Sequence, residues 1–331
     1  MTDAIRWAGQ AAIHGTGANR IVLAGLRSIL AVRGDISIRN PVSSARDGAT
    51  PDLTRVLLCD VQTRDHTEQF CIKLYPSCHE GKIALHRHAL VLSRLKNVLP
   101  VPDVIEELAG PDLFGFPALV TTALGRPLDE EFQELAPISR EAITAGLAEA
   151  VATLHHLNPD GLPVDPEYCP QSVLQLWAED AEWYEQNAGE AREFAGLVTR
   201  GASVLAECRK APSCDSVVHR DLTPNNVLAK NGAFAAIVDW DHIGFSAPQE
   251  DVGKALIGLL GMLSLPRSSR LPLARTFLDA YCLRESLSAE ELLTQSVPFA
   301  LDTLLDWVVG GKNAPRAELS WAVEQILEQR I

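Results

Sequence analysis

The chain is short of basic residues, of patterned cysteines and of long apolar runs, and each shortage excludes something. Lys and Arg total 29 against 43 Asp and Glu, a formal net charge of −14. Such an acid surplus repels phosphate backbones and anionic headgroups, so neither nucleic acid nor a membrane surface is expected as a partner. The seven cysteines (Cys59, Cys71, Cys78, Cys169, Cys208, Cys214 and Cys282) are odd in number and irregularly spaced. They form no CxxC pair, which argues against a disulfide framework and against zinc. The longest apolar stretch, around Ala255 to Leu265, falls short of the roughly 18 residues a membrane span needs. Met1-Thr2-Asp3-Ala4-Ile5-Arg6 lacks the basic-then-apolar pattern of a secretory leader, and a cytoplasmic location is expected. No internal repeat or low-complexity block stands out. Hydrophobic residues at 47% of 331 positions are ample for globular packing, and the length suits two lobes.

What is present is a pattern of acids and an amide. His219-Arg220-Asp221-Leu222-Thr223-Pro224-Asn225-Asn226 is followed by Ile237-Val238-Asp239-Trp240. One carboxylate, one amide and a second carboxylate at this spacing suit ATP-dependent phosphoryl transfer. The first acid can orient a hydroxyl, while the amide and the second acid hold Mg²⁺ against a triphosphate. The intervening Val227 to Phe234 reads as a hairpin, because Asn231-Gly232 is a strong two-residue turn signal between apolar runs. That hairpin would bring Asn226 and Asp239 side by side.

The segment from Val217 to Gly253 resembles the catalytic core of the aminoglycoside phosphotransferase and choline kinase-like family, small-molecule kinases built on the protein-kinase fold. The family follows its Asp-Trp with a run ending in Gly-Asp-Pro-x-x-Asp-Leu-Ala. Here Ser246-Ala247-Pro248-Gln249-Glu250-Asp251-Val252-Gly253 keeps Pro248 and Asp251 and departs at Ser246, Ala247 and Gly253. The resemblance implies a kinase-like two-lobed α+β enzyme. A nucleotide-binding lobe would span 1–120, and a larger, mainly helical lobe for catalysis and substrate would span 121–331. Asp221 would accept or orient the hydroxyl proton, Asn226 and Asp239 would hold Mg²⁺, and His219 would brace the catalytic loop. ATP is the expected donor, with GTP as the alternative.

In the first lobe, Asp35 to Arg39, Leu53 to Val61 and Glu68 to Tyr75 read as strands, after a short helix over Arg20 to Val32. In a kinase-like lobe the loop between the first two strands covers the phosphates with backbone N–H groups. Here that loop is Pro41 to Gly48, with Ser43 and Ser44 as the candidate residues. Phe70-Cys71-Ile72-Lys73 has the form of the kinase Val-Ala-Ile-Lys strand. Alternation sets Phe70, Ile72 and Leu74 on one face and Cys71, Lys73 and Tyr75 on the other. A lysine there is costly to bury unless an anion such as ATP phosphate meets it. Lys82 to Lys96 should be the following helix, but the family's lysine-holding glutamate falls at His88, with Glu80 near the helix start. Phe116 to Gly125 resembles the strand and hinge whose backbone reads the adenine edge, which marks Thr122 and Ala123.

The remainder reads as helices. Ile143, Leu147, Val151 and Leu154 mark a buried face that ends at His155, expected to be structural. Two further patterns, Leu174/Trp177/Ala181/Tyr184 and Phe194/Val198/Leu205, lie where protein kinases have only a short link. Between Asp239 and Pro248 there is no room for an activation loop, so a protein substrate is not expected. Ser288-Ala289-Glu290-Glu291 is a capping-box signature before a helix carrying Phe299, Leu304, Leu305 and Val308. Asp302, Asp306 and Trp307, and likewise Asp180, Glu182, Trp183 and Tyr184, could meet a cationic substrate, since acids and aromatic faces both attract ammonium groups. A solvated helix face is the competing reading. The expected partner is a small molecule with a hydroxyl, with cationic acceptors such as antibiotics among the candidates. The rivals are a metabolic kinase for choline, an amino alcohol or a sugar, and a nucleotide-binding protein without transferase activity.

Overall fold

The computed structural model describes residues 35–38, 55–62, 67–110, 116–164, 169–173, 175, 176, 179, 182, 194–207, 212–285, 287–309 and 316–331. The helix expected over Arg20 to Val32, the loop with Ser43 and Ser44, and Leu174, Trp177, Asp180, Ala181, Trp183 and Tyr184 lie outside these residues. The chain divides into two compact units, one of residues 1–97 with 101–124, the other of 98–100 with 125–331.

In the first unit, β1 (Asp35–Ile38), β2 (Arg55–Gln62), β3 (Thr67–Leu74), β4 (Val104–Leu108) and β5 (Ala118–Thr122) form one antiparallel sheet in the order β1-β2-β3-β5-β4. Helix α1 (His79–Leu95) follows β3. It begins three residues before the expected start because Cys78 caps it, its Sγ accepting from the Gly81 N–H at 3.4 Å. Leu85, His88, Ala89, Leu92 and Leu95 form its buried stripe, spaced three and four apart as an amphipathic helix requires. Phe70, Ile72 and Leu74 are buried along one face of β3, while Lys73 and Tyr75 are buried on the other.

The second unit is mostly helical. Short β6 (Arg126–Pro127) precedes α2 (Leu128–Glu134) and α3 (Pro137–His155), then α4 (Ala195–Glu207). Next come β7 (Ser216–Val218), β8 (Val227–Lys230), β9 (Ala233–Ile237) and β10 (Gly244–Ser246). The chain closes with α5 (Gln249–Gly261), α6 (Arg267–Glu285), α7 (Ala289–Val309) and α8 (Arg316–Leu327). Helix α3 packs on α6, and α5 packs on α7. Ile143, Leu147, Val151 and Leu154 are buried on α3, as their spacing predicts. The Ser288 cap forms, its Oγ accepting from the Glu291 N–H at 3.3 Å. The β8–β9 hairpin turns at Asn231 and Gly232, with φ of 54° and 77°. Positive φ at both central residues is the signature of the type I′ turn, which glycine enters without a Cβ penalty.

Gly253 explains one departure from the family pattern. A Cβ at this position would lie 2.7 Å from the Ser296 carbonyl oxygen and 3.0 Å from Phe299 Cβ, so an alanine here would push α5 away from α7. Glycine allows the two helices to approach closely where α5 carries Lys254 and α7 carries Asp302 one turn beyond the contact.

Candidate active site

The loop between β7 and β8 is held in shape by a buried carboxylate. Asp251, in the first turn of α5, accepts from the His219 N–H at 2.8 Å through Oδ2 and from the Arg220 N–H at 2.8 Å through Oδ1. His155 Nε2 lies 3.2 Å from the same Oδ2, and its Nδ1 lies 2.7 Å from the Tyr281 hydroxyl. His155 is therefore a structural histidine, as expected from its place at the end of α3. Burial alone raises the Asp251 carboxyl, but the hydrogen bond and charge of His155, with the pull of His219, outweigh it and hold it below the ordinary aspartate value.

His219 is fully buried and fastens the loop on two sides. Its Nδ1 accepts from the Asp221 N–H at 3.2 Å, and Nε2 lies 2.9 Å from the Val238 carbonyl. One nitrogen accepting and the other facing a carbonyl defines the Nε2–H tautomer. Trp240, also fully buried, meets the imidazole edge to face at 4.6 Å. The loop thereby keeps Arg220 in the left-handed region at φ 68°. For a residue with a Cβ this costs about 1–2 kcal/mol, so outside contacts must maintain it. They are the bond from its N–H to Asp251 and the pairing of its Nε with Glu250 at 3.0 Å. Lys254 adds a third restraint, donating to the Arg220 carbonyl at 2.6 Å.

Asp221, Asn226 and Asp239 come together as the hairpin reading anticipates. Asn226 closes the 3₁₀ turn Pro224–Asn226, and its Nδ2 donates to both the Asp221 carbonyl (2.8 Å) and Asp221 Oδ2 (2.7 Å). The Val238 N–H donates to the Asn226 carbonyl at 2.9 Å, which places Asp239 beside Asn226 just beyond the β8–β9 ladder. Asp239 also adopts a left-handed conformation, φ 65°. The Asn226 amide nitrogen faces Asp221, and its oxygen is turned away from that carboxylate. One amide oxygen and one carboxylate are a fitting protein share for Mg²⁺, which keeps waters and substrate phosphates as its other ligands. Among the described residues no group of three or more His, Cys, Asp or Glu side chains could by itself hold a metal.

Beside Asp221 opens a cavity of about 430 Å³, lined by Glu179, Asp221, Thr223, Lys254, Asp302, Thr303, Asp306 and Trp307. Of the acids and aromatics considered as substrate contacts, Asp302, Asp306 and Trp307 thus line the same cavity as Asp221. Burial pushes the Asp302 carboxyl up, against the lowering pull of Lys254. Burial alone would push the Lys254 ammonium down, but Glu250, Asp302 and Asp221 hold it above the ordinary lysine value. Asp251, Glu250 and Lys254 were absent from the expected site. Asp251 was detectable through its motif position, whereas Lys254 had only the i,i+4 spacing from Glu250, which ordinary surface helices share.

In the first unit, Lys73 is 8% exposed and its Nζ lies 5.8 Å from the centre of the Tyr75 ring. His88, at the family's glutamate position, is buried, and its Nδ1 lies 2.6 Å from the Tyr75 hydroxyl. Glu80 remains at the helix start, where hydrogen bonds from its own backbone N–H and from Cys78 lower its carboxyl below the usual range. The Thr122 N–H donates to the Asp103 carbonyl at 3.0 Å and the Ala123 N–H to the Gln69 carbonyl at 2.9 Å. Both donors are used at the end of β5, between its neighbours β3 and β4. Cys59, Cys71, Cys78, Cys169, Cys214 and Cys282 form no disulfide, and no described helix is long and apolar enough to cross a membrane.

A two-lobed, kinase-like α+β fold with this loop and acid pair is that of a phosphotransferase. The sequence pattern of the phosphotransferase enzyme family, APH, matches residues 60–292, and the chain belongs to that family. Solved structures agree in fold. One is a thermostable variant of aminoglycoside phosphotransferase APH(4)-Ia in a ternary complex with ADP and hygromycin B. It is 16% identical with a TM-score of 0.60, over 88% of this chain and 94% of that one. A second is macrolide 2'-phosphotransferase MphH from Brachybacterium faecium, 17% identical with a TM-score of 0.56, over 91% and 97%. A third, APH(2")-IIia with GDP and kanamycin, is 16% identical with a TM-score of 0.59, over 93% and 97%. No curated protein matches the chain in sequence.

Proposed function

We propose that the protein transfers the γ-phosphoryl group of ATP to a hydroxyl of a small cationic molecule, aminoglycoside-like antibiotics being the leading class. The observation that carries this reading is the position of Asp221 on the wall of a cavity that also holds Glu179, Asp302, Asp306 and Trp307. Four carboxylates and an indole face outweigh a single lysine, and such a lining favours ammonium groups. The acceptor hydroxyl gives its proton to Asp221 as its oxygen bonds to the γ-phosphorus. The bond from that phosphorus to the β,γ-bridging oxygen breaks, and ADP leaves. Asn226 serves two ends of this arrangement, fixing Asp221 through its amide nitrogen and offering its oxygen, with Asp239, to Mg²⁺. The ion would supply charge neutralisation for the phosphates when bound. Lys73 is proposed to meet the α- and β-phosphates.

The test is product formation from ATP or GTP, with and without Mg²⁺, across aminoglycosides, macrolides, choline, amino alcohols and neutral sugars. Phosphorylated product from hydroxylated amines, at rates well above those for neutral sugars, is the expected result. Preference for neutral sugars would reject the cationic acceptor, and absence of any product would reject the transferase reading.

A further inference from the structure

His155 closes helix α3, and each of its ring nitrogens meets a buried partner. On one side Nε2 lies 3.2 Å from Asp251 Oδ2, the oxygen that also accepts from the His219 N–H at 2.8 Å. On the other side Nδ1 lies 2.7 Å from the hydroxyl of Tyr281, in α6. Tyr281 is fully buried where α3 packs on α6, and this hydrogen bond is its hydroxyl's only one among the described residues. Its ring stacks on Phe277, with centres 6.2 Å apart and planes 10° apart, and meets the imidazole edge to face at 5.7 Å. Burial first, then the charges of Glu285 and Asp251, push the phenol's ionisation up, so the hydroxyl keeps its proton. A phenol can donate as well as accept, and it therefore partners Nδ1 whether or not that nitrogen is protonated. An ionised carboxylate only accepts, so Nε2 carries a proton toward Asp251.

A ring bound at both nitrogens cannot turn about its Cβ–Cγ bond without giving up both hydrogen bonds. Building on the phosphotransferase reading, we infer that Tyr281 is a positioning residue for the transfer, acting on Asp221 through His155 and Asp251. Its hydroxyl fixes the imidazole plane, and the imidazole completes the donors on the carboxylate. That carboxylate holds the N–H groups of His219 and Arg220, the two residues immediately before Asp221. Without the hydroxyl the imidazole is held at one end only, Oδ2 loses a steady donor, and the left-handed Arg220 is gripped less firmly. Tyr281 is not among the described residues that line the cavity beside Asp221, so its effect on turnover passes through this chain of bonds.

The experiment combines nitrogen-15 NMR of the histidine rings with kinetics on the best acceptor of the panel above. It is done for the whole chain as wild type, Tyr281→Phe, His155→Gln and the double variant. Tyr281→Phe keeps the ring on Phe277 and removes only the hydroxyl. The wild type should show a His155 Nε2–H that exchanges slowly with water, and in Tyr281→Phe that proton should exchange faster. Turnover of Tyr281→Phe should fall about tenfold, part of the roughly 10²-fold cost of a 1 Å displacement, with KM for ATP little changed. Because Tyr281 acts through His155, its loss should cost nothing further once His155 is replaced. Loss of a merely structural bond would lower Tm and leave both turnover and the Nε2–H exchange as they are. Wild-type turnover in a folded Tyr281→Phe protein overturns the inference, as do equal losses from Tyr281→Phe with and without His155. A wild-type ring lacking the Nε2–H overturns it too, and this arm decides even where a variant does not fold. If the wild type phosphorylates no acceptor, the transferase reading itself has failed, while the NMR still tests the hold on His155 separately.

Discussion

Replacing Asp251 by Asn removes one negative charge from the buried point that shapes the loop between β7 and β8. The carboxylate receives two backbone N–H groups at 2.8 Å, with His155 at 3.2 Å. The asparagine oxygen can serve only one side, and its NH₂ then faces the other N–H, donor against donor. A charge-assisted bond is worth about 1.5–3 kcal/mol, and an unpaired buried donor costs about 1–3 kcal/mol. Together these give a destabilisation of about 2.5–6 kcal/mol. Urea unfolding followed through tryptophan fluorescence should show a lower midpoint at unchanged slope. The second consequence is kinetic. Arg220 loses a restraint on its left-handed conformation, and Asp221 follows it; a displacement near 1 Å costs about 10²-fold in turnover. The pH dependence carries a sign as well. Because the folded Asp251 carboxyl is held low, its contribution is present above the ordinary carboxylate value of about 4 and is lost as pH falls through the folded value. Asp251→Asn should therefore flatten the acid side of the stability profile. A folded variant with wild-type turnover and an unchanged acid limb would refute the assignment of Asp251 as the loop's anchor.

Asp221→Asn should leave folding and ADP binding intact while lowering turnover by about 10²–10⁴-fold, checked by calorimetry alongside steady-state kinetics. Asp239→Ala should remove the Mg²⁺ dependence of nucleotide affinity, and calorimetric titration with ATP in the presence and absence of Mg²⁺ tests this directly. Lys73→Ala should raise KM for ATP or depress turnover strongly. His88→Ala should act mainly on stability, by about 0.5–1.5 kcal/mol, because it removes the 2.6 Å hydrogen bond with the Tyr75 hydroxyl. Thermal unfolding and KM for ATP, measured on both variants, separate the two roles.

Local order in the sequence determined a great deal of this protein. The Asn231-Gly232 turn, the alternation through Lys73, the cap at Ser288 and the spacing of Ile143, Leu147, Val151 and Leu154 each depend on neighbours within a few residues. Turn chemistry, pleat and helical period act at that range, so they are legible in one dimension. The juxtaposition of Asn226 and Asp239 was legible for the same reason, since a single hairpin connects them. Contacts across long separations were not. Only the tertiary structure brings Lys254 to the Arg220 carbonyl, Asp302 and Asp306 to the cavity beside Asp221, and His155 to Asp251. It also spends the N–H groups of Thr122 and Ala123 inside the sheet and pairs His88 with Tyr75 across the first turns of α1. Gly253 belongs with these, since its lack of a side chain has meaning only beside Ser296 and Phe299. Each depends on which helix packs against which loop, and that choice is made by the burial of whole faces, a property no short stretch of sequence contains.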